Sequence, residues 1–185
     1  MTPYETACAA IDRANAEDPR KHELPYSERM VEWARKLSPQ ATDELLLAVR
    51  AQHLRRLTIP RSEYPAGLDG YLRWREKLKR FHADSLGTIM KDAGYGEFSI
   101  AKARGLILRK NLAPDPEGQA LEDAACLVFL HHEFAGFAAK TAEEKVVEIL
   151  RKTWGKMSPR AREFALALPY GGREGGLVKR ALAGD

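Results

Sequence analysis

Apolar residues recur every three or four positions along most of the chain, which is the spacing of one face of an α-helix. The alternation of β-branched and polar residues that is typical of strands is not evident. The pattern therefore predicts an all-α protein, with helices over residues 3–16, 27–37, 42–57, 70–92, 98–110, 117–139, 142–155, 158–167 and 174–182.

Three of these predicted helices begin at residues that favour a helix N-terminus. Ser27 precedes "ERMVEWARKL", and Thr42 precedes "DELLLAV". Ser158 is followed by Pro159, and proline is favoured at the first helical position. No repeat or linker divides the chain, and 185 residues suit one domain. We therefore expect a single helical domain over residues 1–185.

Two histidines take positions where the helical pattern calls for an apolar residue. His53 lies four residues after Val49 on the stripe that includes Leu46, and His82 lies between Leu78 and Leu86. Considered by itself, His53 is explained as a histidine that packs in the core and is hydrogen-bonded there. Two such positions favour a shared polar cavity instead.

The third candidate lies in the most apolar predicted helix, where no polar residue occurs from Ala124 to Leu130. Glu122 and Asp123 precede this run, and an acid near a helix N-terminus is favourable in itself. An acid on a buried helix also needs a partner, and a carboxylate with two neutral imidazoles suits a divalent metal ion. His53, His82 and Asp123 are therefore the candidate metal ligands, while His131 and His132 suit packing or supporting roles. The identity of the metal stays open.

Positive charge is concentrated in the middle of the chain. Residues 50–110 contain 14 Lys and Arg against 6 Asp and Glu, whereas the rest contains 16 against 20. Such a concentration favours phosphate, in a small molecule or a nucleic acid, although a solvated basic face is the alternative. The candidate substrate-binding cations are Arg55, Arg56, Arg61, Arg75, Lys79 and Lys110.

Composition indicates a soluble protein, with 44% hydrophobic and 30% charged residues. The first twenty residues do not resemble a signal peptide, and no segment is apolar for the length of a membrane span. Cys8 and Cys126 belong to no C-x-x-C pair, which argues against a cysteine zinc site or a disulfide framework. We expect a cytoplasmic protein without a membrane partner.

Several segments resemble one family along nearly the whole chain: "RAQHLRR", "IPRSEYP", "GYLRWREKLKRFHA", "LEDAACLVFL" and "EKVVEILRKTWGKMS". This is a bacterial and fungal domain-of-unknown-function family whose members often carry the automatic label glutamyl-tRNA synthetase. The chain is too short for that label, and it lacks the nucleotide-binding α/β pattern that a synthetase needs. The resemblance therefore implies a family but no activity.

A more distant resemblance covers roughly residues 25–140. The order of helices and polar positions is similar to the HD superfamily of metal-dependent phosphohydrolases, which implies an orthogonal helical bundle with residues 141–185 packed on it. His53, His82 and Asp123 match the superfamily's metal-ligand positions. Leu54 stands where the superfamily has its metal-binding Asp, and Lys110 falls near a position often occupied by His.

Two functions follow from these resemblances, and a protein-binding scaffold is a third. The first is metal-dependent hydrolysis of a phosphorylated small molecule, such as a nucleotide or phosphomonoester, with Glu122 and Asp123 as the catalytic residues. Glu122 either replaces a lost metal ligand or is the base that deprotonates a metal-bound water. The second is a non-catalytic module that binds an anionic ligand or RNA on a degenerate HD-like fold, which Leu54 favours. The sequence does not fix the substrate, the oligomeric state or whether the protein is an enzyme.

Overall fold

The computed structural model describes residues 1–109 and 115–183, and every regular element in these ranges is helical. The predicted all-α class is therefore confirmed. Two 3-10 turns cover Arg56–Thr58 and Arg61–Glu63, and a π-helical segment covers Phe129–Glu133. The α-helices are α1 (Pro3–Ala16), α2 (Glu23–Leu37), α3 (Asp43–Arg50), α4 (Gly67–Asp92), α5 (Glu97–Leu108), α6 (Pro116–Val128), α7 (Phe134–Ala138), α8 (Glu143–Lys156), α9 (Pro159–Leu166) and α10 (Gly172–Leu182).

Side-chain caps determine where several helices begin. Thr2 and Glu5 form a reciprocal capping box at α1, in which each side chain accepts the other residue's backbone N–H. Thr42 accepts the N–H of Leu45 at α3. Ser158 accepts the N–H of Ala161 at α9, and Pro159 takes the first helical position. The starts predicted at Thr42 and Ser158 are therefore confirmed.

Helix α2 begins at Glu23, four residues before the predicted start at Ser27. The buried carboxylate of Asp18 accepts the backbone N–H groups of His22, at 2.9 Å, and Glu23, at 3.2 Å. Asp18 thereby satisfies donors that a helix N-terminus otherwise leaves unpaired. Ser27 lies inside the helix, 1% exposed, and its hydroxyl donates to the Leu24 carbonyl.

Helix α3 ends at Arg50, so the predicted helix over residues 42–57 is wrong in its second half. The chain continues in tight turns, in which the N–H of Leu54 donates to Ala51 and that of Arg56 donates to His53. Arg55 adopts φ 52°, in the left-handed region that no α-helix of L-residues can continue through. His53 therefore lies in a turn and does not continue the apolar stripe of Leu46 and Val49 on a helix.

The segment from Ile59 to Ala66 is held against the start of α4. The Trp74 indole N–H donates to the Ile59 carbonyl at 2.9 Å. Arg61 donates to the carbonyls of Tyr64, at 2.8 Å, and Gly67, at 3.4 Å. The long connection between α3 and α4 is thus ordered by side chains at its two ends.

The chain divides into two compact units, residues 1–121 and 122–185, with the boundary inside α6. In the first, α3 is enclosed by neighbouring helices, and Leu45, Leu47 and Val49 are fully buried. In the second, α8 packs against α10. The prediction of one domain, with an HD-like core over 25–140, stays a prediction.

Over the described ranges, no helix combines the length and apolar character needed to cross a membrane.

Candidate functional site

A buried acid and an imidazole form the centre of the candidate site. The Nδ1 of His53 lies 2.9 Å from Oε2 of Glu23, and Glu23 is 3% exposed. Tyr26 follows Glu23 by one helical turn, and its ring stacks on His53 with centroids 4.0 Å apart and planes within 7°. The other carboxylate oxygen of Glu23 accepts from Arg20 at 2.8 Å. Helix α2 therefore fixes the position and the plane of the His53 ring.

The protonation states of this pair follow from their surroundings. Burial lowers the pKa of His53, and the hydrogen bond to Glu23 opposes that shift without cancelling it. Burial acts to raise the pKa of Glu23, but the hydrogen bond from His53 and the charge that this ring carries when protonated outweigh it, so the pKa is lowered. Near neutral pH, Glu23 is a carboxylate that accepts the Nδ1–H of a neutral His53. The lone pair of His53 is then on Nε2.

His82 has the same tautomer for a different reason. Its Nδ1 lies 2.8 Å from the Leu54 carbonyl, and a carbonyl can only accept, so Nδ1 carries the proton. Its Nε2 is enclosed and has no hydrogen-bond partner within residues 1–109 and 115–183. Burial, followed by the charge of His53, lowers the pKa of His82 to about 4. The predicted core position of His82 is confirmed, because the residue is 3% exposed.

Both imidazoles thus donate through Nδ1 and keep a lone pair on Nε2. Metal-binding histidines typically donate their second nitrogen to a carboxylate or a backbone carbonyl, which are the two acceptors found here. The Nε2 of His82 is buried without a hydrogen-bond partner among the described residues, which suits the binding of an electrophile such as a metal ion. Within the described ranges, no group of three or more His, Cys, Asp or Glu side chains is placed to hold a metal ion. Each ring therefore has the tautomer that is typical of a metal-binding histidine, while the metal site predicted from sequence stays a prediction.

A cavity of about 150 Å³ borders Glu23 on α2. It lies between the C-terminal end of α1, the α1–α2 turn and the segment that follows α3. Neither His53 nor His82 lines it, so Glu23 is the residue that the cavity and the imidazole site share. The polar residues of its lining include Asn15, Glu17, Asp18, Glu23, Arg55, Arg56 and Thr58.

Two of the predicted cations line this cavity. Arg56 places its guanidinium 5.0 Å from the centroid of the Trp74 ring, and Arg55 is exposed in its left-handed turn. Over the described residues, neither side chain has a hydrogen-bond or ion-pair partner. Burial lowers the pKa of Arg56, because its charge is partly removed from water without a directly bonded acid. These two unpaired guanidinium groups are available to an anion.

The other predicted cations make different contacts. Arg61 is bonded to loop carbonyls, as described above. Arg75 lies on the exposed face of α4 and donates to the Tyr71 hydroxyl at 3.2 Å. Lys79 is half-buried on the same helix. Lys110 lies outside the described residues.

The predicted acids belong to the second unit. Asp123 is 2% exposed, and its carboxylate accepts the Ser158 backbone N–H at 2.8 Å. Glu122 lies 3.7 Å from the ammonium group of Lys156. The prediction that an acid on this helix needs a partner is thus confirmed for Asp123 by a contact at the start of α9. His131 and His132 are exposed in the π-helical segment, with ring centroids 4.1 Å apart.

Sequence reasoning missed Glu23, Tyr26 and Arg20. Their only local signal is the three-residue spacing of Glu23 and Tyr26, which gives these two side chains a common direction once α2 begins at Glu23. Arg20 lies in the turn before this helix. The early start depends on Asp18, whose capping role is not evident from the segment "EDPRKHEL". The partner of Glu23 lies thirty residues further along the chain, a separation that helical periodicity cannot bridge.

Comparison with known proteins gives a family match without an activity. A family model described as a domain of unknown function (DUF4202) matches residues 5–178. No curated protein and no solved structure matches the chain.

Proposed function

The chain belongs to this family of unknown function, and from its own residues we propose a metal-dependent hydrolase of a phosphorylated small molecule. His53 and His82 are the proposed metal ligands in the first unit. The roles predicted from sequence for Glu122 and Asp123, which belong to the second unit, stay predictions. The HD-like architecture is part of the same proposal.

The observation that carries the proposal is the shared tautomer of the two imidazoles. Glu23 and the Leu54 carbonyl each accept an Nδ1–H, so both Nε2 atoms keep a lone pair for an electrophile. Because the pKa of both rings is lowered by burial, neither lone pair is lost to protonation at neutral pH. When bound, a divalent ion supplies Lewis-acid polarisation of the phosphoryl group.

The remaining residues have binding and orienting roles. Arg55 and Arg56 bind the anionic group and neutralise charge that develops on its oxygens. Glu23 holds the His53 ring in one tautomer, and Tyr26 restricts the ring by stacking on one face. Arg61 and Arg75 support the α4 region through their contacts with loop carbonyls and Tyr71.

A non-catalytic module that binds an anionic ligand is the second candidate. In the resemblance to HD enzymes, Leu54 stands at the position of their metal-binding Asp, and its side chain is fully buried. A buried leucine cannot contribute a ligand, so the metal set is smaller than in those enzymes. The unpaired Arg55 and Arg56 serve this function equally well.

The test uses protein purified without a metal-affinity tag. Its metal content is measured by mass spectrometry, and a panel of phosphate esters is assayed with added Mg²⁺, Mn²⁺ or Zn²⁺. We expect bound metal and ester hydrolysis in the wild type, both lost in His53→Ala and His82→Ala. All variants are made in a background that carries His131→Ala and His132→Ala, which removes the exposed imidazole pair of the second unit, and the background alone is expected to retain both properties.

The result distinguishes the two candidates. Equal trace activity and equal metal content in wild type and His53→Ala would exclude the hydrolase proposal. Saturable binding of a phosphate ester that requires Arg56 but no metal would then support the binding module.

A further inference from the structure

One wall of the cavity beside Glu23 is lined by side chains that accept hydrogen bonds. Asn15 lies in the last turn of α1, Glu17 is the C-cap residue of this helix, and both line the cavity. The Glu17 carboxylate has no ion-pair or hydrogen-bond partner within the described part of the chain. The C-terminal end of a helix also carries partial negative charge, which favours a cation nearby. This wall therefore suits a positively charged group.

Asn15 adds an unsatisfied acceptor to the same wall. The residue is 1% exposed, and its amide nitrogen lies 3.4 Å from the Arg50 carbonyl. Because that carbonyl can only accept, the amide orientation is fixed and Oδ1 is directed elsewhere. Oδ1 has no donor among the residues that the structure describes. Buried acceptors of this kind are uncommon, so Oδ1 is a candidate acceptor for a donor group of a ligand.

The segment after α3 contributes positively charged side chains to the cavity. Arg55 and Arg56 line the cavity with guanidinium groups that have no acidic partner, as described above. They do not pair with Glu17, although all three residues border one cavity. Unpaired donors and unpaired acceptors are therefore separated by the cavity itself.

The charge balance of the lining argues against a simple anion. Glu17, Asp18 and Glu23 contribute three negative charges, against two positive charges from Arg55 and Arg56. Arg20 pairs with Asp18 at 3.3 Å and with Glu23 at 2.8 Å, which brings the local sum to zero. A dianion alone would leave Glu17 unpaired and would face an uncompensated carboxylate. A ligand that carries a positive and a negative group pairs with Glu17 on one side of the cavity and with Arg55 and Arg56 on the other.

We propose that this cavity binds a small zwitterion, namely a phosphate ester that also carries an ammonium group. The phosphate pairs with Arg55 and Arg56, and the ammonium group faces Glu17 and the end of α1. This inference rests on the proposed function for the phosphate ester, and it adds the ammonium group as the feature that determines which ester binds.

The test is isothermal titration calorimetry on metal-free protein with EDTA, which prevents turnover. The three probes are O-phosphoethanolamine, ethyl phosphate and ethanolamine, so that each charged group is removed in turn. We expect O-phosphoethanolamine to bind about tenfold more tightly than ethyl phosphate, the effect of one charged hydrogen bond. Ethanolamine is expected to bind more weakly than either.

Variants assign each end of the ligand. Glu17→Gln should abolish the preference for O-phosphoethanolamine, because it removes the carboxylate that the ammonium group faces, and it should not weaken the binding of ethyl phosphate. Arg55→Asn should weaken both phosphate esters about tenfold, and asparagine tolerates the left-handed backbone at this position. Lys91→Gln, on the exposed last turn of α4, is the control and should change neither affinity. Circular dichroism melts establish that each variant is folded.

The outcomes separate this inference from the proposed function. Equal affinity for the two phosphate esters, or an unchanged preference in Glu17→Gln, would overturn the zwitterion inference and leave hydrolysis intact. Absence of binding by O-phosphoethanolamine would overturn it as well. The expected preference without any esterase activity would support the inference and exclude the hydrolase.

Discussion

Two imidazoles in the first unit each use one ring nitrogen in a hydrogen bond and keep a lone pair on the other. For His53 the acceptor is a buried carboxylate, and for His82 it is a backbone carbonyl. Because both acceptors fix the proton on Nδ1, the tautomer results from the fold and does not require a ligand to select it. The site is therefore preorganised at the level of single residues.

Glu23→Gln tests the electrostatic part of this arrangement. Glutamine can still accept a hydrogen bond, but it lacks the negative charge that raises the pKa of His53 against burial. We therefore expect a lower pKa for His53, measured by NMR titration of the labelled imidazole. We also expect a loss of about 1–2 kcal/mol in the free energy of unfolding.

The matched control is Glu28→Gln on the exposed face of the same helix, which should change neither quantity. An unchanged or higher pKa of His53 in Glu23→Gln would mean that Glu23 does not control this imidazole.

His82 predicts a specific pH dependence of stability. Its pKa is about 4 in the folded protein, against 6.5 in an unfolded chain, so only the unfolded state takes up this proton between those values. Stability is full above pH 6.5 and falls as pH decreases towards about 4. Wild type should lose about 3 kcal/mol more than His82→Gln over this range, measured by urea unfolding. Parallel losses in the two proteins would contradict a buried neutral His82.

The two histidines also differ in what the sequence could reveal. His82 lies inside α4, and the four-residue spacing of Leu78, His82 and Leu86 predicts its burial correctly. His53 was singled out by the same spacing, but α3 ends at Arg50, so the stripe does not extend to it. Its placement depends on Glu23, a partner that no local pattern specifies.

At the scale of elements, the connection between α3 and α4 is fixed by close contact with the first turn of α4. A Cβ built on Gly70 would overlap the Pro65 carbonyl oxygen, so only glycine permits this approach. Trp74 and Arg61 add hydrogen bonds on either side of the contact. Since Arg56 stacks on Trp74, this packing also positions part of the cavity lining.

Gly70→Ala is expected to destabilise the protein by roughly 2 kcal/mol or more, because the backbone of Pro65 must move. Gly105→Ala is the matched control: a Cβ there meets nothing within 4 Å, so it should stabilise α5 by about 1 kcal/mol. Thermal or urea unfolding measures both. Equal effects of the two substitutions would contradict the close contact at Gly70.

Most helices lie within a few residues of their predicted bounds, because periodicity and capping residues are local signals. The helix predicted over 117–139 is one exception, since the π-helical segment Phe129–Glu133 interrupts it. A π-helical segment changes the register of the helix surface without any change in composition, so apolar spacing does not reveal it. The Asp18 cap of α2 is another contact that the sequence pattern does not indicate.

At the scale of the whole molecule, the helical class follows from patterns repeated along the chain, whereas the candidate site depends on contacts between distant segments. His53 and His82 both belong to the first unit, and Glu122 and Asp123 belong to the second. The family match covers residues 5–178 and therefore includes both groups. The central claim is that the two imidazoles bind a divalent metal.

The most direct test of this claim is calorimetric titration of Zn²⁺ into untagged protein that carries His131→Ala and His132→Ala. These substitutions remove the exposed imidazole pair, which could bind Zn²⁺ independently. We expect one binding site in this background, with affinity reduced at least tenfold by His53→Ala and by His82→Ala. Zn²⁺ binding that is absent in this background, or unchanged by both substitutions, would contradict it.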